Sequence, residues 1–193
     1  MPEDFTAIRR RAVLYGAAGL ALGTVALGAA PAMAATPPEK WPEAKPGDFD
    51  FLTGEWRIAN RRRKKAGTDD WDEFQGEATV QSVMGGRCSV EDLRIPDRDF
   101  AGRGLRILDA EKKMWVDYFV NAKSGTLATP GTSGFVADGI VSFPGEEMFD
   151  GKTLLYRNIW DRITATSCRW YQGMSKDGGK TWEDDWVMAW TRV

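Results

Sequence analysis

Residues 49–56 read Phe-Asp-Phe-Leu-Thr-Gly-Glu-Trp, a short apolar turn followed by the tripeptide Gly54-Glu55-Trp56. From there to the end of the chain, aromatic and β-branched residues alternate with polar ones at period two. This pattern is typical of half-buried strands, and no later stretch carries a helical period. The predicted strands are 55–64, 73–83, 87–95, 102–108, 114–121, 134–143, 152–160, 164–174 and 181–193.

Turn signals separate these strands. They fall at 65–69, Gly85-Gly86, 109–113, Pro144-Gly145 and 177–179, where Gly, Pro and Asp favour reversals of the chain. So many short antiparallel strands predict an all-β domain over residues 49–193, a closed or nearly closed antiparallel barrel of about 8–10 strands. Closure is favoured because it removes exposed sheet edges.

Both ends of this domain resemble the calycin barrels, the lipocalins and fatty-acid-binding proteins. Those proteins carry Gly-x-Trp on the first strand, and an Arg near the end of the last strand packs over that Trp. The matching residues are Trp56 and Arg192. The resemblance implies that they close the base of the barrel, where a guanidinium over an indole contributes about 0.5–2 kcal/mol.

The order of segments 51–56, 104–109, 169–172 and 182–192 is similar to a bacterial family of uncharacterised, often exported calycin-like barrels. The resemblance covers residues 48–192. It implies a barrel with a lumen and assigns no activity. The calycin nitrobindins bind haem through a histidine, and this chain contains none.

Residues 175–182 match the Asp-box pattern Ser-x-Asp-x-Gly-x-Thr-Trp, known from sialidase propellers. The Asp carboxylate of such a box accepts backbone N–H groups and the Gly permits positive φ. The chain has one box and is too short for a six-bladed propeller. We therefore expect a rigid hairpin corner between the last two strands.

Residues 1–34 have the features of a secretory signal peptide. Arg9, Arg10 and Arg11 precede an uncharged run, which leads to a small-x-small site near Ala34-Ala35. Paired arginines before apolar residues indicate twin-arginine export, with the Sec route and a single membrane anchor as alternatives. The expected location is periplasmic or secreted, with no stable membrane insertion after cleavage. Residues 35–48 are Pro-rich and are predicted to form an extended linker.

Composition narrows the chemistry. A formal net charge of −2 offers no basic field for nucleic acid. The absence of histidine excludes His-based catalysis and His-ligated metal or haem, so neither a cofactor nor a metal site is expected. The two cysteines, Cys88 and Cys168, either form a disulfide or remain buried thiols on strands that are not neighbours.

Charged residues on apolar strand faces provide the candidate site. Glu91 shares a face with Leu93 and Ile95, and Arg103 and Arg157 each alternate with Leu and Ile. If these faces point inward, the two arginines can anchor an anionic group. A salt-bridge network and surface exposure are the alternatives, since a slip of one residue inverts every face. The candidate ligand-binding residues are Glu91, Arg103, Tyr118, Arg157, Trp170, Gln172 and Trp186.

The residue pattern of 114–121 does not show which face of this strand points into the barrel. Tyr118 lies on its more apolar face, whereas Trp115 and Phe119 lie on the other.

Two main functions are compatible with such a lumen. The first is an exported barrel that binds a hydrophobic or amphipathic small molecule, and an anionic ligand is included in this prediction. The second is a cofactor-free isomerase, cyclase or lyase that uses Glu91 as a buried carboxylate, with an Arg that stabilises negative charge; no catalytic residue is assigned. A domain that binds partners through its outer face is a third alternative.

Overall fold

The computed structural model describes residues 42–149 and 151–193, and within these ranges the period-two stretches form ten strands. They are β1 (Gly54–Arg63), β2 (Trp71–Val83), β3 (Cys88–Ile95), β4 (Phe100–Asp109), β5 (Met114–Asn121), β6 (Thr132–Ala137), β7 (Ile140–Phe149), β8 (Lys152–Asp161), β9 (Ser167–Ser175) and β10 (Glu183–Arg192). Two 3₁₀ helices, Asp50–Leu52 and Pro96–Arg98, are the helical elements of the described chain. The expected signal peptide lies outside the described residues.

Each strand pairs with its neighbours in sequence, all antiparallel, and β1 pairs with β10 to close the sheet. The closing ladder runs from Trp56 opposite Arg192 to Arg62 opposite Trp186. The predicted all-β, closed antiparallel barrel is therefore confirmed. Closure leaves no long sheet edge, which is the arrangement that protects a small β-domain from edge-to-edge association.

One predicted strand is wrong. The stretch 134–143 is a hairpin, because β6 and β7 are joined by Asp138-Gly139, with φ of 52° and 74°. Asp-Gly with two positive φ values is the favoured two-residue hairpin loop. The turn predicted at Pro144-Gly145 lies inside β7 instead. Pro144 is tolerated there because β6 pairs with β7 only as far as Ser142, so Pro144 has a ladder partner on one side alone.

The 3₁₀ helix Asp50–Leu52 fills one end of the barrel. The Trp56 indole donates to the Leu52 carbonyl at 2.7 Å, and the Arg192 guanidinium lies 4.3 Å from the Trp56 ring centre. Arg192 also donates to the carbonyls of Phe51 and Thr53. A Cβ at Gly54 would lie 2.5 Å from Arg192 Nη1, which explains the glycine of Gly-x-Trp. The predicted contact between Trp56 and Arg192 is present.

Aromatic side chains occupy most of the interior. Five tryptophans are almost completely buried: Trp56, Trp115, Trp160, Trp186 and Trp190. Edge-to-face contacts link three of them, with ring centres 5.9 Å apart for Trp56–Trp190 and 5.0 Å for Trp160–Trp190. Such pairs add to the stabilisation from area burial alone. Most of the tryptophans therefore belong to the core.

The Asp-box forms the hairpin corner between β9 and β10, as predicted. The Asp177 carboxylate accepts hydrogen bonds from the backbone N–H and the hydroxyl of Thr181. These bonds and that from Ser175 lower the pKa of Asp177 to about 2. Trp182, at the end of the box, donates to the Gly179 carbonyl at 3.1 Å.

Cys88 and Cys168 are buried free thiols on β3 and β9. These strands are not neighbours in the barrel. The disulfide alternative is therefore wrong for this structure. Burial raises the pKa of the Cys168 thiol to about 12, so it is unreactive at neutral pH.

Candidate functional site

The interior face of β3 carries Glu91, as the sequence predicted. Glu91 is 4% exposed and shares its face with the buried Leu93 and Ile95. On β4, the neighbouring strand, Gly104 lies directly opposite Glu91. A Cβ at this glycine would approach Glu91 to 3.3 Å, so the glycine leaves room for the carboxylate.

Arg103 lies on the outer face of β4, and the prediction that it points inward is wrong. Its side chain is 60% exposed and lies 3.7 Å from Asp92. The interior position belongs to Arg106, which is 5% exposed. The two arginines are three residues apart on one strand, so alternation directs them to opposite faces. Leu105 and Ile107, which suggested the inward face, are half-buried on the outside.

Arg157 also lies outside the lumen. It is 7% exposed, but its neighbours belong to the outer face: Asp184 at 3.0 Å, the Tyr171 ring at 5.3 Å and the Trp182 ring at 4.4 Å. The Asp-box hairpin thus covers an ion pair on the outer wall. Arg157 is a structural residue of that corner and does not line the cavity.

Tyr118 is the third candidate that the structure places elsewhere. A Cβ at Gly131 would lie 2.6 Å from the Tyr118 ring, so this ring packs on the loop before β6. Trp115 and Phe119 point into the barrel instead. Trp115 belongs to the buried core, and Phe119 packs against that core. The open question about the orientation of 114–121 is thereby resolved.

Trp170, Gln172 and Trp186 face the interior and line a cavity together with Glu91. The cavity encloses about 70 Å³ and is partly open to solvent. Its remaining lining residues are Leu93, Arg106, Phe119, Asn158, Trp160, Met188 and Trp190. A single water needs about 10–15 Å³ of such volume, so the cavity has room for several waters or a small organic group.

An ion cluster forms the inner wall of this cavity. Arg106 Nη2 donates to Glu91 Oε2 at 2.6 Å, and Arg106 Nε lies 3.7 Å from Asp117 Oδ1. The guanidinium packs over the rings of Phe49 and Trp160, at 5.5 and 5.2 Å. Burial opposes the charge of Arg106 most strongly, but the two carboxylates outweigh it and raise the arginine pKa. Two acidic groups therefore share one cation.

Several hydrogen-bonding groups around the cavity lack partners. Arg106 Nε and Nη1 and Trp190 Nε1 are buried and make no hydrogen bond within the described residues. Buried donors without acceptors are rare, because leaving one unpaired costs about 1–3 kcal/mol. These donors indicate a place where a solvent molecule or ligand supplies the acceptor.

A second pair of charges, Asp185 and Arg62, lies beside the lining residues Gln172 and Trp186. Gln172 donates to Asp185 Oδ2 at 3.1 Å, and the Arg62 guanidinium lies 5.1 Å from the Trp186 ring. Burial raises the pKa of Asp185, although Gln172 and the charge of Arg62 lower it. The Trp186 indole is already occupied, donating to Asn60 at 3.0 Å.

Sequence reasoning missed Arg106, Asp117 and Asn158. The signal for Arg106 was Gly102-x-Gly104, two small residues that mark the face where large neighbours need space. Among residues 42–149 and 151–193, no cluster of three or more His, Cys, Asp or Glu side chains can hold a metal ion. Within the same ranges, the helices are too short to cross a membrane.

The fold and this interior define a class: a ten-stranded antiparallel barrel with an aromatic-walled, polar cavity. No protein-family model matches the chain, and no curated protein matches it. Among solved structures it is similar to a crystal structure of a protein of unknown function from the DUF3598 family of Nostoc punctiforme, with 12% identity and a TM-score of 0.46. The match covers 75% of this chain and 48% of that protein, so this chain spans about half its length.

Proposed function

We propose that the protein is an exported, calycin-like barrel that binds a hydrophobic or amphipathic small molecule in its lumen. The observation that carries the proposal is the set of unpaired donors of Arg106 and Trp190 on the cavity wall. Ligand pockets combine mainly apolar walls with a few convergent polar groups, and this cavity has that composition.

The closed end of the barrel supports the calycin interpretation. The contact between Trp56 and Arg192 is the feature on which the resemblance depends. The Arg9–Arg11 signal pattern supports export to the periplasm or beyond. We propose the calycin-like fold and export together, because export would place the barrel where small molecules can be sequestered or carried.

Cavity size limits how the ligand binds. Ligand pockets usually enclose about 300–1,000 Å³, whereas this cavity encloses about 70 Å³. The cavity therefore takes the polar end of a ligand. The apolar remainder lies against Phe119 and Trp170, two half-buried aromatic residues of the lining.

Glu91 favours one alternative, an enzyme with a carboxylate base. Its carboxyl group lines the cavity beside the Arg106 guanidinium, which is the pairing needed to remove a proton and stabilise the resulting negative charge. The two functions differ in the bound molecule. A binder holds one chemical species, whereas an isomerase or lyase holds substrate and product.

Native mass spectrometry of the full chain, purified from its own host, tests the proposal. We expect an adduct that is released on denaturation and then identified. Asn158→Phe, which fills the cavity from β8, should abolish the adduct. Thr153→Phe, at an exposed position of the same strand, is the control and should retain it.

Circular dichroism of both variants tests whether they keep the fold of the parent chain. An adduct that survives Asn158→Phe would place the ligand outside the lumen. The absence of any adduct from the host protein would favour the partner-binding alternative. Both results would overturn the proposal.

A further inference from the structure

We infer that the group bound in the cavity is uncharged and accepts hydrogen bonds, as a carbonyl or amide oxygen does. This inference rests on the proposed function and specifies the chemistry of its ligand. It replaces the anionic ligand that the sequence suggested, since that expectation depended on Arg103 and Arg157, which lie outside the lumen.

The charge balance of the cavity wall disfavours an anion. The one guanidinium there, Arg106, already contacts Glu91 at 2.6 Å and Asp117 at 3.7 Å. A ligand carboxylate would be a third negative charge around a single buried cation. Beside the lining residues Gln172 and Trp186, Asp185 and Arg62 provide one charge of each sign, so they do not alter this balance. Like charges brought together in a desolvated site oppose binding.

The unpaired groups disfavour a cation. Arg106 Nε and Nη1 and Trp190 Nε1 are all donors, and an ammonium or amidinium has only donors to offer. A neutral oxygen has two lone pairs, so it can accept from Arg106 Nη1 and Trp190 Nε1 without adding charge. The amide of Asn158 also lines the cavity and can take up a donor on the same ligand.

Volume sets the size of the bound group. A cavity of roughly 150 Å³ is known to hold benzene, and this one encloses about 70 Å³. The bound group is therefore smaller than an aromatic ring, and its flat shape suits the indole walls of Trp160, Trp186 and Trp190.

Three probes of one shape and three charges test the inference: acetamide, acetate and acetamidinium. Titration of the ¹⁵N-labelled chain, followed through the tryptophan indole N–H signals, measures each affinity. A four-atom probe binds no tighter than roughly tens of micromolar, a range that NMR titration covers. We expect acetamide to bind at least about tenfold tighter than either charged probe and to shift the Trp190 indole signal.

Matched tryptophan variants assign the effect. Trp190→Phe removes the unpaired donor and keeps an aromatic ring, so acetamide should bind about three- to tenfold more weakly. Trp115→Phe makes the same chemical change outside the cavity, where the indole donates to Asp48. Its affinity for acetamide should equal that of the parent chain, and its lost signal identifies one indole resonance.

Tighter binding of acetate or acetamidinium would overturn the inference and leave the proposed function standing. The same applies if no probe binds while the host protein carries an adduct. If no probe binds and no adduct exists, both fail. Equal loss of acetamide binding in Trp115→Phe would show that the effect is structural and would also overturn the inference.

Discussion

Arg106→Met tests the interior ion cluster. The substitution keeps an apolar stem of similar length and removes the guanidinium that contacts both Glu91 and Asp117. Breaking a buried pair by removing one partner costs about 3–5 kcal/mol. In a domain of this size, about 1 kcal/mol shifts the melting temperature by roughly 2–4 °C. The melting temperature should therefore fall by roughly 6–20 °C.

Two companion variants isolate the cause. Glu91→Gln leaves the positive charge of Arg106 next to Asp117 and keeps an oxygen acceptor, so we expect a smaller loss of about 1–3 kcal/mol. Arg103→Met changes an arginine on the same strand whose side chain is 60% exposed. It should alter the free energy of unfolding by less than about 0.5 kcal/mol.

Urea unfolding at neutral pH, followed by tryptophan fluorescence, measures the free energy of unfolding of the three single variants and of the double variant Arg106→Met/Glu91→Gln. Because the two residues contact each other, the double variant should lose less stability than the sum of the single losses. The reasoning is refuted if Arg106→Met stays within about 1 kcal/mol of the parent chain, or if Arg103→Met costs as much.

Three further predictions concern other parts of the barrel. Arg192→Met removes the guanidinium over Trp56 and its hydrogen bonds to backbone carbonyls. Chemical denaturation should therefore show that the free energy of unfolding falls by about 2–4 kcal/mol. A loss below about 0.5 kcal/mol would mean that the contact does not close the barrel. Cys168, whose pKa burial raises to about 12, should stay unlabelled by a thiol reagent in the folded protein at about pH 8, and rapid labelling would contradict its burial. Burial raises the pKa of Asp185, so the native state binds this proton more tightly than the unfolded chain does. Stability should therefore fall as pH rises from about 4 through the native pKa. Asp185→Asn keeps an acceptor for Gln172. Its stability relative to the parent chain should therefore rise between about pH 4 and pH 7. If the difference in stability between variant and parent is constant across this range, the carboxyl group is not desolvated.

Local patterns were enough to predict the barrel. Alternation and turn residues are properties of short stretches, and closure follows because paired edges are more stable than open ones. The one error in strand number arose at 134–143, where Pro144-Gly145 was the predicted turn. Asp138-Gly139 was not recognised as a turn, although it has the backbone geometry that a two-residue hairpin requires.

The candidate site was harder to predict because it depends on which face of each strand is buried. Leu105 and Ile107 looked like an interior face, yet they cover the outside of the barrel beside the exposed Arg103. Tryptophans from other strands fill the lumen, so β4 contributes glycines and Arg106 to it. Which strands supply the volume is a property of the whole barrel, and one strand does not carry that information.

Arg157 shows a different limit. The sequence indicates that it shares a face with Leu155 and Ile159, but that face is covered by Trp182 from the Asp-box hairpin. Burial there comes from an outer element and not from the lumen. A buried arginine is therefore weak evidence for an interior ligand site unless the wall that covers it is known.

A high-resolution crystal structure of the protein purified from its own host would show what occupies the lumen. We expect continuous density for an organic group there, with an oxygen within about 3.2 Å of Arg106 and of Trp190 Nε1. Separate, fully occupied water positions at those donors, with no organic density, would show that solvent satisfies them and would contradict the account.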